Sequence, residues 1–374
     1  MRAAAGTGAG FDLGYSRAAG ARRCLGGKTM NAGRGWLGMP AALLALSGLV
    51  GSTGAIGAPS AAACDRGCLE AISERYLGAM LAHDPAKAPL ARRARYTENG
   101  VQLPLPDGLW RTVDRIGTYR VFVTDPEQGE VGFFAKAEEN GAPVLVATRL
   151  KVVDRRITEI ESIAARLTRT IGGGPSGVPR IDQLGEHPRK AFLTPLPPSE
   201  RRSRQQLIAI VDRYYTGIEN NTGAKPPPFA SDCRRIENGT QTTGRTLRPG
   251  EPPSPLNYSC REAFALGYYH EDTRIRDRRV LAVDPTRGLV YASVGMDHDA
   301  TVRSYRLKNG RLVTVRNTGP WTWMAHEIFE VNGAGQISQI EAVLVSVPYG
   351  MRPGWSTGVH LPSPQAVRDG FKEY

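Results

Sequence analysis

The chain has 374 residues, 41% of them hydrophobic, and a formal net charge of +12 from 48 Lys+Arg against 36 Asp+Glu. That length suits two domains, each large enough to bury its own core. The positive residues are dispersed, as in Arg92-Arg93-Arg95, Arg201-Arg202-Arg204 and Arg274-Arg276-Arg278-Arg279, without the interleaved aromatics of a single-strand binder, so nucleic acid is not an expected partner.

Residues 1–63 read as a targeting region, with the functional start at Met30. A short charged segment ending at Arg34 precedes an apolar run from Met39 to Val50, and small residues dominate through Ala63. That order is the one a cleavable signal requires, and the apolar run is too short for a membrane span. The expected location is therefore secreted or periplasmic, with no membrane attachment after removal of the signal. Of the five cysteines, Cys24 is lost with that region. The four others fall as Cys64/Cys68 and Cys233/Cys260, and an even count in an exported chain favours disulfides over a metal site, since no His stands at zinc-finger spacing.

The mature part reads as an internal repeat. Tyr96–Gly100 matches Arg235–Gly239 at an offset of 139, from Glu98 to Glu237. Val123–Val131 matches Ala282–Val290 at 159, from Asp125 to Asp284, and Arg156–Ile163 matches Gln336–Val343 at 180, from Glu161 to Glu341. The first copy is placed at 64–167, a Gly/Pro-rich linker at 168–200, and the second copy with its tail at 201–374.

Helical spacing marks Cys68–Ala82 through Leu69, Ile72, Tyr76 and Met80, and Leu207–Ile218 through Leu207, Ile210, Val211 and Tyr214. A shorter helix is predicted at Cys260–Tyr269, then strands at Arg279–Val283, Gly288–Asp297, Thr322–Val331 and Ile337–Pro348. Asp-Pro-x-x-Gly at 125–129 and 284–288 makes a tight turn between strands. Helices followed by a run of antiparallel strands define an α+β fold, with each curved sheet wrapped on its N-terminal helices.

The motifs Cys64–Leu69, Tyr96–Gly100, Gly108-Leu109-Trp110-Arg111-Thr112, Arg274–Arg279, Met296–Asp299 and Ile340–Met351 carry a resemblance to SnoaL-like, nuclear-transport-factor-2-like cone domains. More narrowly, the chain resembles a group of secreted fungal and bacterial proteins built on that domain. The resemblance implies two tandem cones forming an intramolecular pseudo-dimer, each with a pocket for a small hydrophobic molecule. Fold alone assigns no reaction.

Candidate chemistry concentrates in the second copy. There Ala292–Asp299 replaces the less polar Phe133–Glu138, and Trp323–Glu327 is laid against Val146–Leu150. Strand alternation sends His298 to one face and Asp297 and Asp299 to the other, so the partner of His298 must come from another strand, with His326 the candidate. Tyr268 and Tyr269 can donate to a developing oxyanion, a pattern for which ketosteroid isomerase is the handy precedent. Arg276 and Asp277 complete the catalytic candidates, while Trp323, Glu327, Phe329 and His270 are candidates for substrate contact. No cofactor and no metal are expected. The functional expectation is a secreted hydrolase or lyase acting on a small aromatic or hydrophobic molecule, in its sharpest form hydrolytic, glutathione-independent cleavage of lignin-type β-aryl ethers; that last step rests on resemblance alone. The alternative is a non-catalytic secreted protein that binds a small molecule or a polymer.

Overall fold

A computed structural model describes residues 64–166, 180–247, 249–250, 253–315, 319–355 and 358–361. The expected signal region lies outside the described residues. In the first copy, α1 (Arg66–Leu81) is followed by β1 (Leu90–Glu98), β2 (Val113–Asp125), β3 (Glu130–Glu139), β4 (Ala142–Val153) and β5 (Arg156–Arg166). In the second, α2 (Arg204–Asn220) is followed by β6 (Phe229–Glu237), α3 (Cys260–Leu266), β7 (Arg274–Asp284), β8 (Leu289–His298), β9 (Trp321–Val331) and β10 (Ile337–Val347).

The two sheets repeat one topology. Neighbours run β1-β5-β4-β3-β2 in the first and β6-β10-β9-β8-β7 in the second, with short edge strands added. All long pairs are antiparallel except β1 with β5 and β6 with β10, which are parallel. The architecture is therefore α+β with two tandem curved sheets, each packed on its own helix. Start signals set the helices: Asp65 accepts from the Cys68 amide, and Ser203 with Gln206 forms a capping box. The disulfides Cys64–Cys68 and Cys233–Cys260 are both formed, with Cα separations of 5.2 and 5.9 Å.

Three expectations need correction. The β4/β9 equivalence is offset by 179, not 177: Arg149 faces Glu161 and Ile328 faces Glu341, so Val146–Leu150 corresponds to Ala325–Phe329. The described part of the linker is no free tether either, because Ile181 and Phe192 are buried in the core between the sheets. The expected β2-type strand at Arg279–Val283 extends back to Arg274, since Arg274 and Arg276 pair with β8.

Each sheet has two apolar faces. One covers its helix; the other covers the opposite sheet, where Val121, Phe134, Leu145 and Ile163 meet Leu289, Tyr291, Ile328 and Val343. The copies grip each other reciprocally. Arg66 at the start of α1 reaches Asp284 of the second copy's Asp-Pro turn at 2.5 Å, and Arg204 at the start of α2 pairs with Asp125 of the first copy's turn. Both turns close on a glycine with positive φ, Gly129 at 60° and Gly288 at 68°, as the sequence predicts.

Buried ionisable groups also cross this interface. Arg279 donates to Glu161 at 3.1 Å and to Ser293 at 2.9 Å, and His326 lies 3.5 Å from Glu161 and 2.8 Å from the Tyr291 hydroxyl. Burial alone would raise the Glu161 carboxyl, but Arg279 and His326 pull it well below the usual range. Its repeat equivalent, Glu341, accepts from the Tyr119 hydroxyl at 2.5 Å, and burial, outweighing Tyr119 and Arg189, pushes it up to about 7. One position thus has its carboxyl shifted down in the first copy and up in the second.

Close approach at the centre of the interface requires glycine at 132, where a Cβ would sit 2.3 Å from the Tyr291 ring. Gly132→Ala should cost roughly 2–3 kcal/mol, and adding Tyr291→Ala should recover part of that loss in a double-mutant cycle read by denaturant unfolding. Simple additivity would contradict the contact. Glu330, beside Asp232, is likewise pushed up to about 7 by burial. Folded Glu330 and Glu341 keep protons that the unfolded chain releases near its ordinary 4.5, so stability falls as pH rises through 7. Between pH 6.5 and 8 the loss should be roughly 0.8 kcal/mol per glutamate, about two degrees in Tm, and Glu341→Gln should remove that one glutamate's share. A melting temperature unchanged by that substitution across this window would contradict the assignment.

Candidate functional site

The cone interiors differ because different side chains fill them. In the first copy Trp110 is fully buried, donates to the Tyr76 hydroxyl at 3.2 Å and stands edge-on to that ring at 5.2 Å. Arg166 bonds Glu139 at 2.6 Å and Glu98 at 2.7 Å, and with Glu139 and Thr112 it lines an open surface cleft. Glu139 occupies the position of His298, by the same offset of 159 that relates Phe133 to Ala292 in the sheet register. The first copy is therefore polar at these positions, with one arginine held between two glutamates and an indole filling the interior.

In the second copy a cavity of about 70 Å³ remains, lined by Arg235, Glu237, Thr242, Thr243, Tyr268, Tyr269, Glu271, Asp272, Met296, His298, Trp321 and Trp323, among others. Alternation along β8 and β9 sets the lining: Met296 and His298 from one strand, Trp321 and Trp323 from the other, all face the helix side. A water needs roughly 10–15 Å³ of such space, so the cavity holds a handful of waters or one compact molecule.

His298 is the centre of the site. It is 3% exposed, its Nε2 lies 3.0 Å from Asp272, and its ring stacks on Trp321 at 4.1 Å and 7°. Burial opposes its charge, but Asp272, Glu271 and the Met296 carbonyl outweigh that and raise its pKa above the ordinary value. Its Nδ1 and the Trp321 Nε1 are buried without a well-formed hydrogen bond. Burial, together with Asp272 and Glu237, pushes the Glu271 carboxyl up to about 7. Beneath them, Arg235 is held by Glu237 at 2.6 Å, Glu327 at 2.6 Å and the Tyr214 hydroxyl at 2.7 Å.

The other sequence candidates separate into three places. Tyr268, Tyr269 and Trp323 line the cavity. Glu327 lies below it, bonded to the Tyr215 hydroxyl at 2.6 Å, and Phe329 packs on Tyr214 in the core. His270 is exposed, with its ring 5.0 Å from Tyr305. Asp297 is on the opposite face, as alternation requires, but there it is a fully buried anchor for Arg274, Arg276 and the Thr322 hydroxyl. Asp277 pairs with Arg276 on that side, away from the cavity lining. Asp299 is in a turn, accepting from Thr301. His326 is not brought to His298, because in the register it faces Ser293 and the first copy, while His298 faces Trp321. Sequence reasoning missed Asp272 and Glu271, although both directly follow the Tyr268-Tyr269-His270 segment. Two acids after a pair of tyrosines were the available signal, but a loop has no period from which to read their direction.

Among the described residues no helix is long and apolar enough to cross a membrane, and no group of three or more His, Cys, Asp or Glu residues is arranged to hold a metal.

The His298 dyad makes a direct prediction. In NMR titrations the His298 imidazole should have a midpoint above the ordinary histidine value, and Asp272→Asn should lower it; an unshifted midpoint in that variant would break the proposed pairing.

Comparison with solved structures finds an epoxide hydrolase/cyclase-like enzyme, SalBIII, with a role in pyran ring formation in polyether salinomycin, at 12% identity and a TM-score of 0.26, covering 38% of this chain and 92% of that one. It also finds the C. albicans Mtr2–Mex67 M domain complex, at 14% identity and a TM-score of 0.23, covering 38% and 96%. A search of curated proteins gave no match. Residues 62–164 and 200–344, one segment in each copy and together well over half of the chain, match a single family, and the protein therefore belongs to that family, described as Domain of unknown function (DUF8021).

Proposed function

We propose that the second copy is a cofactor-independent acid–base site acting on a small molecule, with the first copy as its support. The observation that carries this reading is the buried His298–Asp272 pair in a cavity that also holds Glu271, whose carboxyl titrates at about 7. Two groups that exchange protons near neutrality, in one enclosed site, are what general acid–base chemistry needs. With Nε2–H directed to Asp272, neutral His298 takes a proton at Nδ1 from a water or a substrate hydroxyl. Glu271 in its acid form returns a proton to the leaving oxygen, and the unpartnered Trp321 Nε1–H is placed among the lining residues to hold an oxygen. Hydrolysis, with the oxygen that loses its proton as the attacking group, fits this proton balance.

The cavity volume narrows the substrate. Pockets that enclose drug-sized molecules measure roughly 300–1,000 Å³, so a two-ring β-aryl ether would enter only if Trp323 or the 268–272 loop moved. The reading is therefore strongest for a molecule of one ring or smaller. The two disulfides support a working location outside reducing compartments, secreted or periplasmic. The binding-only alternative is supported by the plugged first copy, which has kept the fold without an enclosed site.

The test is turnover by the full disulfide-bonded chain on a panel of small esters, epoxides, ethers and hydroxylated aromatics. His298→Ala and Asp272→Asn should each lower turnover by roughly 10²–10⁴-fold, while His326→Gln, if folded, should leave it within a few fold. Undiminished turnover in His298→Ala would remove the acid–base role, and an inactive parent across the whole panel would favour the binding-only reading.

A further inference from the structure

The whole chain is strongly basic, yet the cavity of the second copy is acidic. Its lining has three carboxyl groups, Glu237, Glu271 and Asp272, against Arg235 and His298. The two cations are already matched. Arg235 is bonded to Glu237 and also to Glu327 below the lining, and His298 is bonded to Asp272. Glu271 differs: among the described residues no side chain hydrogen-bonds or ion-pairs with it, and its charged neighbours are the like-charged Asp272 and Glu237 besides His298.

The walls around this spare carboxyl are aromatic. Tyr268 and Tyr269 stand 5.6 Å apart, Trp321 and Trp323 stand nearly perpendicular at 6.3 Å, and all four line the cavity. Aromatic faces at right angles with an unmatched carboxylate are the recognition chemistry of an organic ammonium ion, whose charge the ring quadrupoles and the acid stabilise together. A second observation also calls for a ligand. Trp321 Nε1 and His298 Nδ1 are buried without a well-formed hydrogen bond, on residues that are 2% and 3% exposed, with the Met296 carbonyl beside the imidazole. One is a donor, and the other accepts whenever His298 is neutral and directs its Nε2–H to Asp272. A hydroxyl oxygen satisfies both at once, accepting from the indole and donating to the imidazole.

We propose that the second-copy cavity binds a small organic cation carrying a hydroxyl group, an amino alcohol, with the ammonium between Glu271 and the aromatic walls and the hydroxyl between Trp321 and His298. This deepens the acid–base reading by naming the substrate class, and it rests on that reading only for what happens after binding: with the ammonium bound Glu271 stays ionised, and His298 itself returns the proton it takes. The hydroxyl is the group from which neutral His298 takes a proton. The cavity of about 70 Å³ is tighter than the roughly 150 Å³ that encloses benzene, so choline enters with Trp323 or the 268–272 loop displaced, and a longer polyamine is excluded.

The experiment is calorimetric and NMR titration of the full disulfide-bonded chain with choline, with its neutral isostere 3,3-dimethylbutan-1-ol, and with tetramethylammonium, which lacks the hydroxyl. Choline should bind about tenfold or more tighter than the isostere and measurably tighter than tetramethylammonium, with shifts at the Trp321 and Trp323 indoles. Glu271→Gln, which breaks no bond in the folded chain, should abolish the preference for choline over the isostere. Equal binding of choline and the isostere, no binding of either cation at millimolar concentration, or a preference that survives in Glu271→Gln would each overturn the proposal. The His298 midpoint and its response to Asp272→Asn are read in the same samples, so failure of cation binding is distinguishable from failure of the acid–base reading.

Discussion

Everything in this chain depends on covering the second face of two curved sheets. A sheet wrapped on one helix still has an apolar back, and a domain could not leave so large an apolar face in water. Here each copy is the cover for the other, and the residues doing so are long and branched or aromatic: Val121, Phe134, Ile163, Tyr291, Ile328 and Val343. Apolar contact has no direction, so charge provides it. The reciprocal grips of Arg66 on Asp284 and Arg204 on Asp125 fix rotation at the two ends, and the buried Glu161–Arg279 pair fixes register near the middle. Removing one member of that pair would strand a charge with no water to take it.

Once the backs are fixed, the interiors are free to diverge. In the first cone an indole fills the space and an arginine bridges two glutamates over it; in the second the same strand positions carry imidazole and indole rings around an opening. Glu139 and His298 illustrate the divergence most simply. The glutamate is tied to Arg166 and Thr112, while the histidine is tied on one side only. A site has been made less by adding groups than by leaving some of them unmatched.

The sequence was legible wherever a period or a fixed turn speaks for itself. The long helices, the order of the strands, both disulfide pairs and the face of His298 follow from spacings of 3.6 and 2 and from even cysteine numbers. The slip of two in matching β4 with β9 has a physical source: a shift by two preserves which face each residue occupies, so the burial pattern cannot detect it. The partner of His298 was illegible for another reason. Its carboxylate comes from the loop after α3, whose path is set by the disulfide and by packing, not by local periodicity. His326 misled because inward and outward histidines look alike in sequence when both faces of a strand are buried.

The central contact also limits what the two copies can do with other molecules of their kind. Gly132 and Tyr291 are the same position in the repeat, and they meet each other across the interface. Two second copies brought back to back would place two phenol rings in one space, and two first copies would face each other across a gap. Ring and gap fit only in the mixed pairing. The axis of the repeat is asymmetric, so shape disfavours like-with-like association between chains and leaves first-with-second pairing as the one that fits.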